Sequence, residues 1–463
     1  MKKLVFICMA LLFQGVVKAQ VTFEKIITKN NYETGMSVVQ TRDGGYAFLG
    51  TESGKIWLVK TDASGDTIWT RSFHKNVNLH FNDRALVHTA DGGFTFINFG
   101  NETTMLIHTS PTGDSLWGKE ICQGLVSILA PTSGNGYIVA GRGNETPWDM
   151  AVCRTDSAGN VLWKKDFITI PAGGWASPRC YAINEIPGGD FIIGGGLESA
   201  YFTYLPFLFR IGPTGDSLWF REYQGYGDAC IYSLDTIGEE GFYAGGKEMN
   251  ESLIMKLNSS GDTLWTRVRY LLKQRDIYSV QTTAEGDVIV CGDQSKTYPF
   301  SNPTELMLMK YGSNGDSLWG RYFGNYYEAF GHSVAHCTDG GWIICGGAQS
   351  TSDDDYHALL IKTDKNGNMT GIGDTQSPLP VISVYPNPAS DKITVAVSKF
   401  HKAVTLELYS IVGVRKINAQ VSPAESHAMI DISGLPEGVY FVKVLSGSVT
   451  LGTQKVVVAR NRN

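Results

Sequence analysis

Short apolar segments separated by Gly-containing turns recur along most of the chain. The most regular segment has the form Gly-Asp/Asn-x-Leu/Ile-Trp, and its Trp residues follow one another at intervals of 46 to 56 residues. A degraded seventh copy, Gly367-Asn368-Met369-Thr370, has lost the Trp. A period of about 50 residues indicates an architecture of repeated units. The six intact copies are Gly65–Trp69, Gly113–Trp117, Gly159–Trp163, Gly215–Trp219, Gly261–Trp265 and Gly315–Trp319.

Each repeat predicts four short antiparallel strands. The first strand carries a small residue before an aliphatic one, and a turn such as Asp43-Gly44-Gly45 leads to the second strand. Asp-Gly-Gly between apolar runs is a hairpin signal because the turn requires a positive φ. The third strand ends on a basic residue or His, and the fourth carries the Trp. Four such strands per unit are typical of the blades of a β-propeller. The small-aliphatic pairs are Ser37-Val38, Ala85-Leu86, Ser127-Ile128, Ala182-Ile183, Ser233-Leu234, Ser279-Val280 and Ser333-Val334.

The ends of the repeat region predict how the propeller closes. The seventh unit, about residues 332–362, lacks a fourth strand, whereas Val21–Ile26 forms a strand that precedes the first unit. If this N-terminal strand completes the last blade, seven four-stranded blades close without a free edge. An open solenoid of repeats is the alternative, but it requires capping segments that the sequence does not show. We therefore predict a seven-bladed β-propeller over residues 20–369.

A second domain is predicted after the repeats. Residues 370–380 are rich in Gly, Ser and Pro, which is typical of a linker. Residues 381–463 contain alternating apolar segments with turns every 8 to 12 residues. This spacing predicts a small Ig-like β-sandwich of seven strands, so the whole chain is expected to be all-β.

The amino terminus has the features of an export signal. Lys2 and Lys3 precede the apolar stretch Leu4–Val17, and small residues at Val17 and Ala19 predict cleavage between Ala19 and Gln20. The apolar stretch is too short for a membrane span, which needs about 20 residues. We therefore expect a signal peptide over residues 1–19 and a secreted mature chain without a transmembrane segment.

Charge and cysteine content narrow the possible functions. The net charge of −6 is uneven, because residues 20–375 hold 27 Lys and Arg against 40 Asp and Glu, a balance of −13. Such an acidic body argues against nucleic-acid binding. Seven cysteines remain after residue 19, without a C-x-x-C or zinc-like spacing, so most are expected to be small buried residues. Disulfides Cys180–Cys230 or Cys291–Cys345 are the alternative.

The carboxyl-terminal domain contains four sequence motifs: Tyr385, Pro386, Asn387 and Pro388, then Gly413, then Leu435, Gly438 and Tyr440, and finally Lys455. Together they resemble the type A C-terminal sorting domain of the type IX secretion system of Bacteroidota. The resemblance implies transport across the inner and outer membranes, with the secretion machinery and its sortase as partners. It implies that the sortase removes the domain and leaves the cargo released or attached to surface lipopolysaccharide. An ordinary adhesive sandwich is the alternative.

The candidate binding residues are aromatic. Connections between the second and third strands, and between successive units, share one face of a propeller, which we call the loop face. In this chain they vary in length and are rich in aromatics, whereas the turns on the opposite face, the turn face, are short. Exposed rings on a rigid scaffold suit sugars or a protein partner, although they could instead cover the core. The candidates are Trp148, Trp175, Tyr201, Tyr204, Tyr298, Tyr326 and Tyr327.

The sequence assigns no catalytic residue, no metal ligand and no cofactor. Asp353–Asp355 lacks the spacing of a calcium loop. His332 and His336 would lie about 13 Å apart on a strand, too far for joint ligation. Asp62–Trp69 resembles the Asp-box of sialidases, but its Gly and Trp follow the Asp at the wrong distances. We therefore expect a non-catalytic module that binds a glycan or a surface protein. A carbohydrate-active hydrolase or lyase acting at the mouth of the propeller channel, or a purely structural surface protein, are the alternatives.

Overall fold

The protein is described by a computed structural model, in which the regular secondary structure of the described residues consists of β-strands alone. Within those residues no helix is long and apolar enough to cross a membrane. The predicted all-β fold is confirmed. The chain divides into two compact units, Met1–Gly371 and Ile372–Asn463. The described residues are 20–29, 32–75, 85–100, 103–143, 149–168, 177–198, 204–225, 227–249, 251–268, 275–297, 301–324, 326–351, 355–369, 382–397, 404–411, 414–421, 427–446 and 449–460.

The described part of the first unit forms seven four-stranded antiparallel sheets. The N-terminal strand is β1 (Phe23–Ile27). The first sheet is β2 (Glu33–Gln40), β3 (Tyr46–Glu52), β4 (Lys55–Thr61) and β5 (Thr67–Lys75). The second is β6 (Leu86–His88), β7 (Phe94–Gly100), β8 (Thr103–Thr109) and β9 (Ser115–Gln123). The third is β10 (Leu125–Pro131), β11 (Tyr137–Arg142), β12 (Asp149–Thr155) and β13 (Val161–Ile168).

The remaining sheets repeat this order, as the blades of a β-propeller do. The fourth is β14 (Ser177–Glu185), β15 (Phe191–Glu198), β16 (Tyr204–Ile211) and β17 (Ser217–Glu222). The fifth is β18 (Ala229–Thr236), β19 (Gly241–Glu248), β20 (Glu251–Asn258) and β21 (Thr263–Val268). The sixth is β22 (Arg275–Thr282), β23 (Val288–Thr297), β24 (Ser301–Tyr311) and β25 (Ser317–Phe323). The seventh is β26 (Glu328–His336), β27 (Trp342–Gln349) and β28 (His357–Thr363), with β1 paired to β28.

The turns of the turn face have the geometry that their glycines predict. Between β2 and β3 the Thr41 N–H donates to Gly45 O at 2.9 Å, and Gly44 has a φ of 83°. Between β4 and β5 the Asp62 N–H donates to Asp66 O, and Gly65 has a φ of 82°. Positive φ values are available to Gly at little cost, so the repeated glycines fix these hairpins.

The N-terminal strand takes the position in the seventh sheet that a Trp strand takes in the others. Phe23 lies opposite Lys362 in the β1–β28 pair, as Trp69 lies opposite Lys60 in the β4–β5 pair. Two residues later, Lys25 Nζ lies 2.7 Å from the Asp66 carboxylate. Phe23-Glu24-Lys25 is thus the counterpart of the Trp-x-Lys/Arg segment that the seventh repeat lacks.

Each Trp packs on a glycine of the next sheet. A Cβ on Gly113 would lie 2.5 Å from the Trp69 ring, and one on Gly159 would lie 2.7 Å from the Trp117 ring. A Cβ on Gly65 would overlap the Phe23 ring in the same way. The glycine of the repeated Gly-Asp/Asn-x-Leu/Ile-Trp segment therefore serves two purposes, because it allows the turn and makes room for the preceding aromatic ring.

Serines of the first strands link neighbouring sheets. Ser37 Oγ accepts a hydrogen bond from the Leu86 N–H at 3.2 Å, and Ser333 Oγ accepts one from the Val38 N–H at 3.2 Å. The second bond joins the seventh sheet to the first. In the third unit the expected Ser127-Ile128 alignment is wrong by one residue. A bulge lies between Val126 and Ile128, so Ile128, opposite Ala140, takes the place that Ser37 has opposite Leu49.

The basic residue at the end of the third strand pairs with the Asp of the turn between the first two strands. Lys60 Nζ lies 2.8 Å from Asp43, and Lys362 Nζ lies 2.9 Å from Asp339. His108–Asp91, Arg210–Asp190 and Lys310–Asp287 repeat the contact. Both lysines are buried in the protein, so the ion pair and the hydrogen bonds around it offset the cost of removing the ammonium from water.

This pairing predicts acid sensitivity. Partial burial alone would raise the pKa of Asp43, but hydrogen bonds from Lys60, Thr41 and Gly45 outweigh it and lower the pKa to about 2. The unfolded chain has a pKa of about 3.9 at this residue, so the stabilising contribution of the carboxylate is complete above pH 4 and is lost as the pH falls towards 2. Thermal unfolding should show Asp43→Asn to be less stable than the natural protein at pH 6, with the difference shrinking by pH 2. A difference independent of pH would contradict this pairing.

The seven cysteines that follow residue 19 are buried thiols. All seven that follow residue 19 are unbridged, so the alternative with Cys180–Cys230 or Cys291–Cys345 disulfides is wrong. Packing explains the outcome, because the Cys230 sulfur lies over Gly196 of the neighbouring sheet and the Cys291 sulfur over Gly331. Burial raises the pKa of Cys153 to about 12.

Apolar clusters join consecutive sheets, and the first and seventh sheets share one as well. Phe48 and Trp57 of the first sheet pack in a single cluster with Ile343 and Leu360 of the seventh. The sheets are therefore held by side chains between their faces, which leaves the loop-face ends of the strands available for polar groups.

The described part of the second unit forms seven strands in two sheets, as the sequence predicts. They enclose an apolar core that includes Ile393, Leu406, Val442 and Val456. The sheet orders are β29-β30-β33 and β32-β31-β34-β35. The strands are β29 (Ile382–Tyr385), β30 (Lys392–Val397), β31 (Val404–Ser410), β32 (Arg415–Val421), β33 (His427–Asp431), β34 (Gly438–Ser446) and β35 (Val449–Val458).

Candidate functional site

The structure places three of the seven candidate aromatics. Tyr204 begins β16, whereas Tyr326 and Tyr327 lie between β25 and β26, and all three are half-buried. Tyr326 packs on the apolar cluster between the sixth and seventh sheets. The Arg179 guanidinium lies 5.4 Å from the centre of the Tyr204 ring. The other candidates, Trp148, Trp175, Tyr201 and Tyr298, lie outside the described residues.

A different set of rings forms a continuous row, which we call the inner aromatic row: Tyr181, Tyr232, Tyr278 and His332. Successive ring centres are 5.2, 5.8 and 5.2 Å apart. The four rings come from the first strands of the fourth to seventh sheets, each at the bulge where the strand changes register. Each directly precedes the small residue of its repeat, so the pattern aromatic-small-aliphatic was available in the sequence and was overlooked.

His332 contributes to this row as a neutral ring. Its Nδ1 lies 3.0 Å from Gly35 O, so Nδ1 carries the hydrogen and Nε2 can accept one. Burial lowers its pKa to about 4. His336 instead packs edge-on against Trp342. Among the described residues no group of three or more His, Cys, Asp or Glu side chains could hold a metal ion.

Two carboxyl groups stand next to the row. Asp276 and Asp293 are directly opposite in the β22–β23 pair, and the Tyr278 hydroxyl donates to Asp276 Oδ2 at 3.2 Å. Burial raises the pKa of both carboxyls, and the charge of Asp276 raises that of Asp293 further. Two opposed half-buried carboxyls of this kind hold a proton more readily than ordinary surface carboxyls do.

The neighbouring sheet adds a cation to this site. Lys247 Nζ lies 2.6 Å from Asp228 Oδ2, and its charge also acts on Asp276, where it lowers the pKa against the larger effect of burial. We call Asp228, Lys247, Asp276, Tyr278 and Asp293 the carboxylate cluster. Within the described structure, Oδ1 of each of its three aspartates is buried and has no hydrogen-bond partner. Buried acceptors without donors are costly for a fold, which marks the cluster as a candidate binding site.

Two clefts in the described structure lie away from the carboxylate cluster. A cleft of about 500 Å³ lies beside the outer strands of the fourth and fifth sheets and is crossed by the Arg221–Asp262 ion pair. A second, of about 440 Å³, lies among turn-face residues such as Gly238 and Gly286. Neither cleft is lined by a residue of the inner aromatic row.

Hydrogen bonds of Asn387 join the first sorting motif to the last one. The Asn387 side chain donates to Lys455 O and accepts from the Val457 N–H, both at 2.8 Å. Both prolines of the first motif, Pro386 and Pro388, follow cis peptide bonds, and Tyr385 is exposed.

The central sorting motif supports the core of the same unit. The Tyr440 hydroxyl donates to Pro436 O at 2.9 Å, and Leu435 packs on the core between the two sheets. Gly438 has a φ of 155° and begins β34. Gly413 lies outside the described residues.

Comparison with solved structures found similar folds at low sequence identity. Sqt1 from Chaetomium thermophilum has a TM-score of 0.44 and 9% identity, over 74% of this chain and 99% of that one. Drosophila Plexin A, in complex with Semaphorin 1b, has 0.41 and 9%, over 75% and 86%. A fungal alcohol oxidase of the AA5 family, in complex with copper, has 0.40 and 12%, over 94% and 98%. A likeness at this level carries no inference about function.

The comparison that identifies a function concerns the second unit. A search of curated proteins found no match to the chain. Residues 383–459, however, match the family described as the secretion system C-terminal sorting domain. This match agrees with the motif order read from the sequence and with the Ig-like sandwich. The second unit is therefore a sorting domain of the type IX secretion system, and the protein interacts with that machinery and is exported to the cell surface or the extracellular space.

Proposed function

We propose that the first unit is a closed seven-bladed β-propeller that binds a glycan on its loop face after export. Closure is supported by the β1–β28 pairing, by the Val38–Ser333 hydrogen bond and by the apolar cluster shared by the first and seventh sheets. A closed ring keeps the innermost strands in fixed positions. Such a scaffold suits a binding surface made from several sheets.

The export route completes this proposal. Residues 1–19 act as a signal peptide, and cleavage between Ala19 and Gln20 releases the chain into the periplasm of a member of the Bacteroidota. The sorting domain, 381–463, then leads the chain through the outer membrane. A sortase cuts in or near the linker, 370–380, and leaves the propeller attached to the surface or released.

The inner aromatic row is the observation that carries glycan binding. Four rings in contact across four sheets form an apolar strip, and carboxylates without donors lie beside it. Sugars present apolar C–H faces and hydroxyl donors side by side, so they match both features at once. A stable protein partner would bury about 800 Å² of this unit's surface, which four half-buried rings alone do not supply.

The raised pKa values of Asp276 and Asp293 favour a second candidate, a carbohydrate-active hydrolase or lyase. A carboxyl that keeps its proton near neutral pH can act as a general acid on a glycosidic oxygen. The two candidates differ in a direct way, since an enzyme shortens the polysaccharide to which it binds. A simple binding module leaves the polymer length unchanged.

Affinity electrophoresis of the mature chain through gels that contain single polysaccharides tests the proposal. We expect retardation by at least one gel, and Tyr232→Leu should weaken it about tenfold because its ring lies between Tyr181 and Tyr278. Tyr322→Leu is the matched control, since that half-buried Tyr lies on the outer strand β25 and packs on apolar residues. Unchanged mobility in every gel would contradict glycan binding, and shortened polysaccharide behind the band would favour the enzyme.

A further inference from the structure

The carboxylate cluster differs from the charged pairs found elsewhere in the propeller. On the turn face the carboxylates are matched by cations, as in Asp339 with Lys362. In the cluster three aspartates share one lysine, and Lys247 lies 2.6 Å from only one of them, Asp228. The cluster therefore has more acceptors than donors, which is unusual for half-buried groups.

The register of the sixth sheet creates this excess. Thr282 lies opposite Val288 at the turn end of the β22–β23 hairpin. If the pairing continued from there without a shift, Asp276 would lie opposite Gln294. The bulge at Tyr278 shifts the pairing by one residue and brings Asp276 opposite Asp293. The same bulge places the Tyr278 ring in the inner aromatic row. One local feature of β22 thus brings two carboxyls and an aromatic ring together.

The charges and hydrogen-bond acceptors of the carboxylate cluster limit which kinds of ligand could bind there. Three carboxyls repel an anion, and among the described residues no group of three or more His, Cys, Asp or Glu side chains could hold a metal ion. The buried oxygens require hydrogen donors, and the adjacent rings suit an apolar face. Asp276 and Asp293 are half-buried, and the χ2 torsion of Asp has broad wells, so rotation about χ2 would bring the oxygen that is now buried to the exposed side. An uncharged molecule rich in hydroxyl groups meets all of these requirements.

We infer that the carboxylate cluster is a subsite for an uncharged sugar residue, whose hydroxyl groups donate to Asp276 and Asp293 while a ring face lies on Tyr278. This inference rests on the proposed glycan binding and specifies its position and ligand class. Where these carboxyls are ionised, hydroxyl groups that donate to them form charge-assisted bonds, which are about twice as strong as neutral ones. The affinity should therefore depend on the carboxyls more than on any single ring.

The test uses the full mature chain and five polysaccharides. Dextran, laminarin and glucomannan are the neutral probes, and alginate and polygalacturonate are the anionic ones. We expect a neutral probe to retard the natural protein, and Asp276→Asn or Asp293→Asn to weaken that binding about tenfold. Neither variant should lower the melting temperature, because each removes one of two repelling carboxyls.

Asp287→Asn is the matched control. Asp287 lies in the same sheet at its turn-face end, 3.0 Å from Lys310, so its replacement should lower the melting temperature and leave binding unchanged. If the natural protein binds a neutral probe and both Asp276→Asn and Asp293→Asn bind equally well, the subsite is wrong and glycan binding stands. Binding of anionic probes only would also overturn the subsite. If no probe binds, both the proposed function and the inference fail.

Discussion

Phe23→Ala is expected to destabilise the first unit by about 2–3 kcal/mol, as much as replacing one of the repeated tryptophans. Removal of a fully buried Phe costs about 3–5 kcal/mol, and Phe23 is half-buried, so the expected loss lies at or below the lower end of this range. Its ring covers Gly65 of the first sheet and lies on the strand that completes the seventh. Thermal or denaturant unfolding of the mature chain measures the loss.

Two further variants serve as a comparison and a control for Phe23→Ala. Trp319→Ala removes the corresponding ring of the sixth sheet, which packs on Gly367, and should cost a similar amount. Ile26→Ala lies on the same N-terminal strand but is exposed, and it should cost less than about 0.5 kcal/mol. Equal stability of Phe23→Ala and the natural protein would show that the N-terminal strand does not complete the ring.

Asp339→Leu should cost about 3 kcal/mol because it leaves the buried ammonium of Lys362 without its carboxylate. Lys362 is 0% exposed, and besides Asp339 its Nζ contacts Thr363 O at 2.9 Å. Loss of one partner of a buried pair costs about 3–5 kcal/mol, and the partial exposure of Asp339 favours the lower value. Chemical denaturation of the variant measures this loss.

The double variant Asp339→Leu, Lys362→Met should recover most of the stability, since an apolar pair replaces the ion pair without leaving a buried charge. Asp114→Ala is the control, because it breaks the exposed pair with Arg71 and should leave the stability almost unchanged. A single variant as stable as the natural protein would contradict the structural role assigned to the turn-face pairs.

The repeated part of the fold was predictable from the sequence. The glycines of the turns and the alternation of apolar residues act locally, so their spacing predicted the strands and the hairpins. The same pattern predicts even the position of Phe23 in the seventh sheet, because Phe23-Glu24-Lys25 matches the Trp-x-Lys/Arg segment of the other repeats. The error at Ser127 shows the limit, since the third sheet has the same bulge as the first but places Ser127 itself at the bulge, where the first sheet has Met36.

The candidate site was less predictable because it depends on contacts between distant residues. Asp276 and Asp293 are two of many acidic residues, and a simple count along the hairpin would pair neither with the other. The loop-face aromatics were chosen for exposure, but four of the seven lie outside the described residues. The inner aromatic row lies on the first strands, where the sequence analysis considered only the small residue and the aliphatic one that follows it.

Binding of a fluorescent neutral polysaccharide by intact cells and by their culture medium tests the account most directly. A producing strain with the full chain should bind the probe at its surface or in the medium. A strain whose chain ends at residue 369 should bind none outside the cell, whereas its lysate should bind the probe. The account is contradicted if the full chain reaches the surface and binds no polysaccharide, or if the shortened chain is exported equally well.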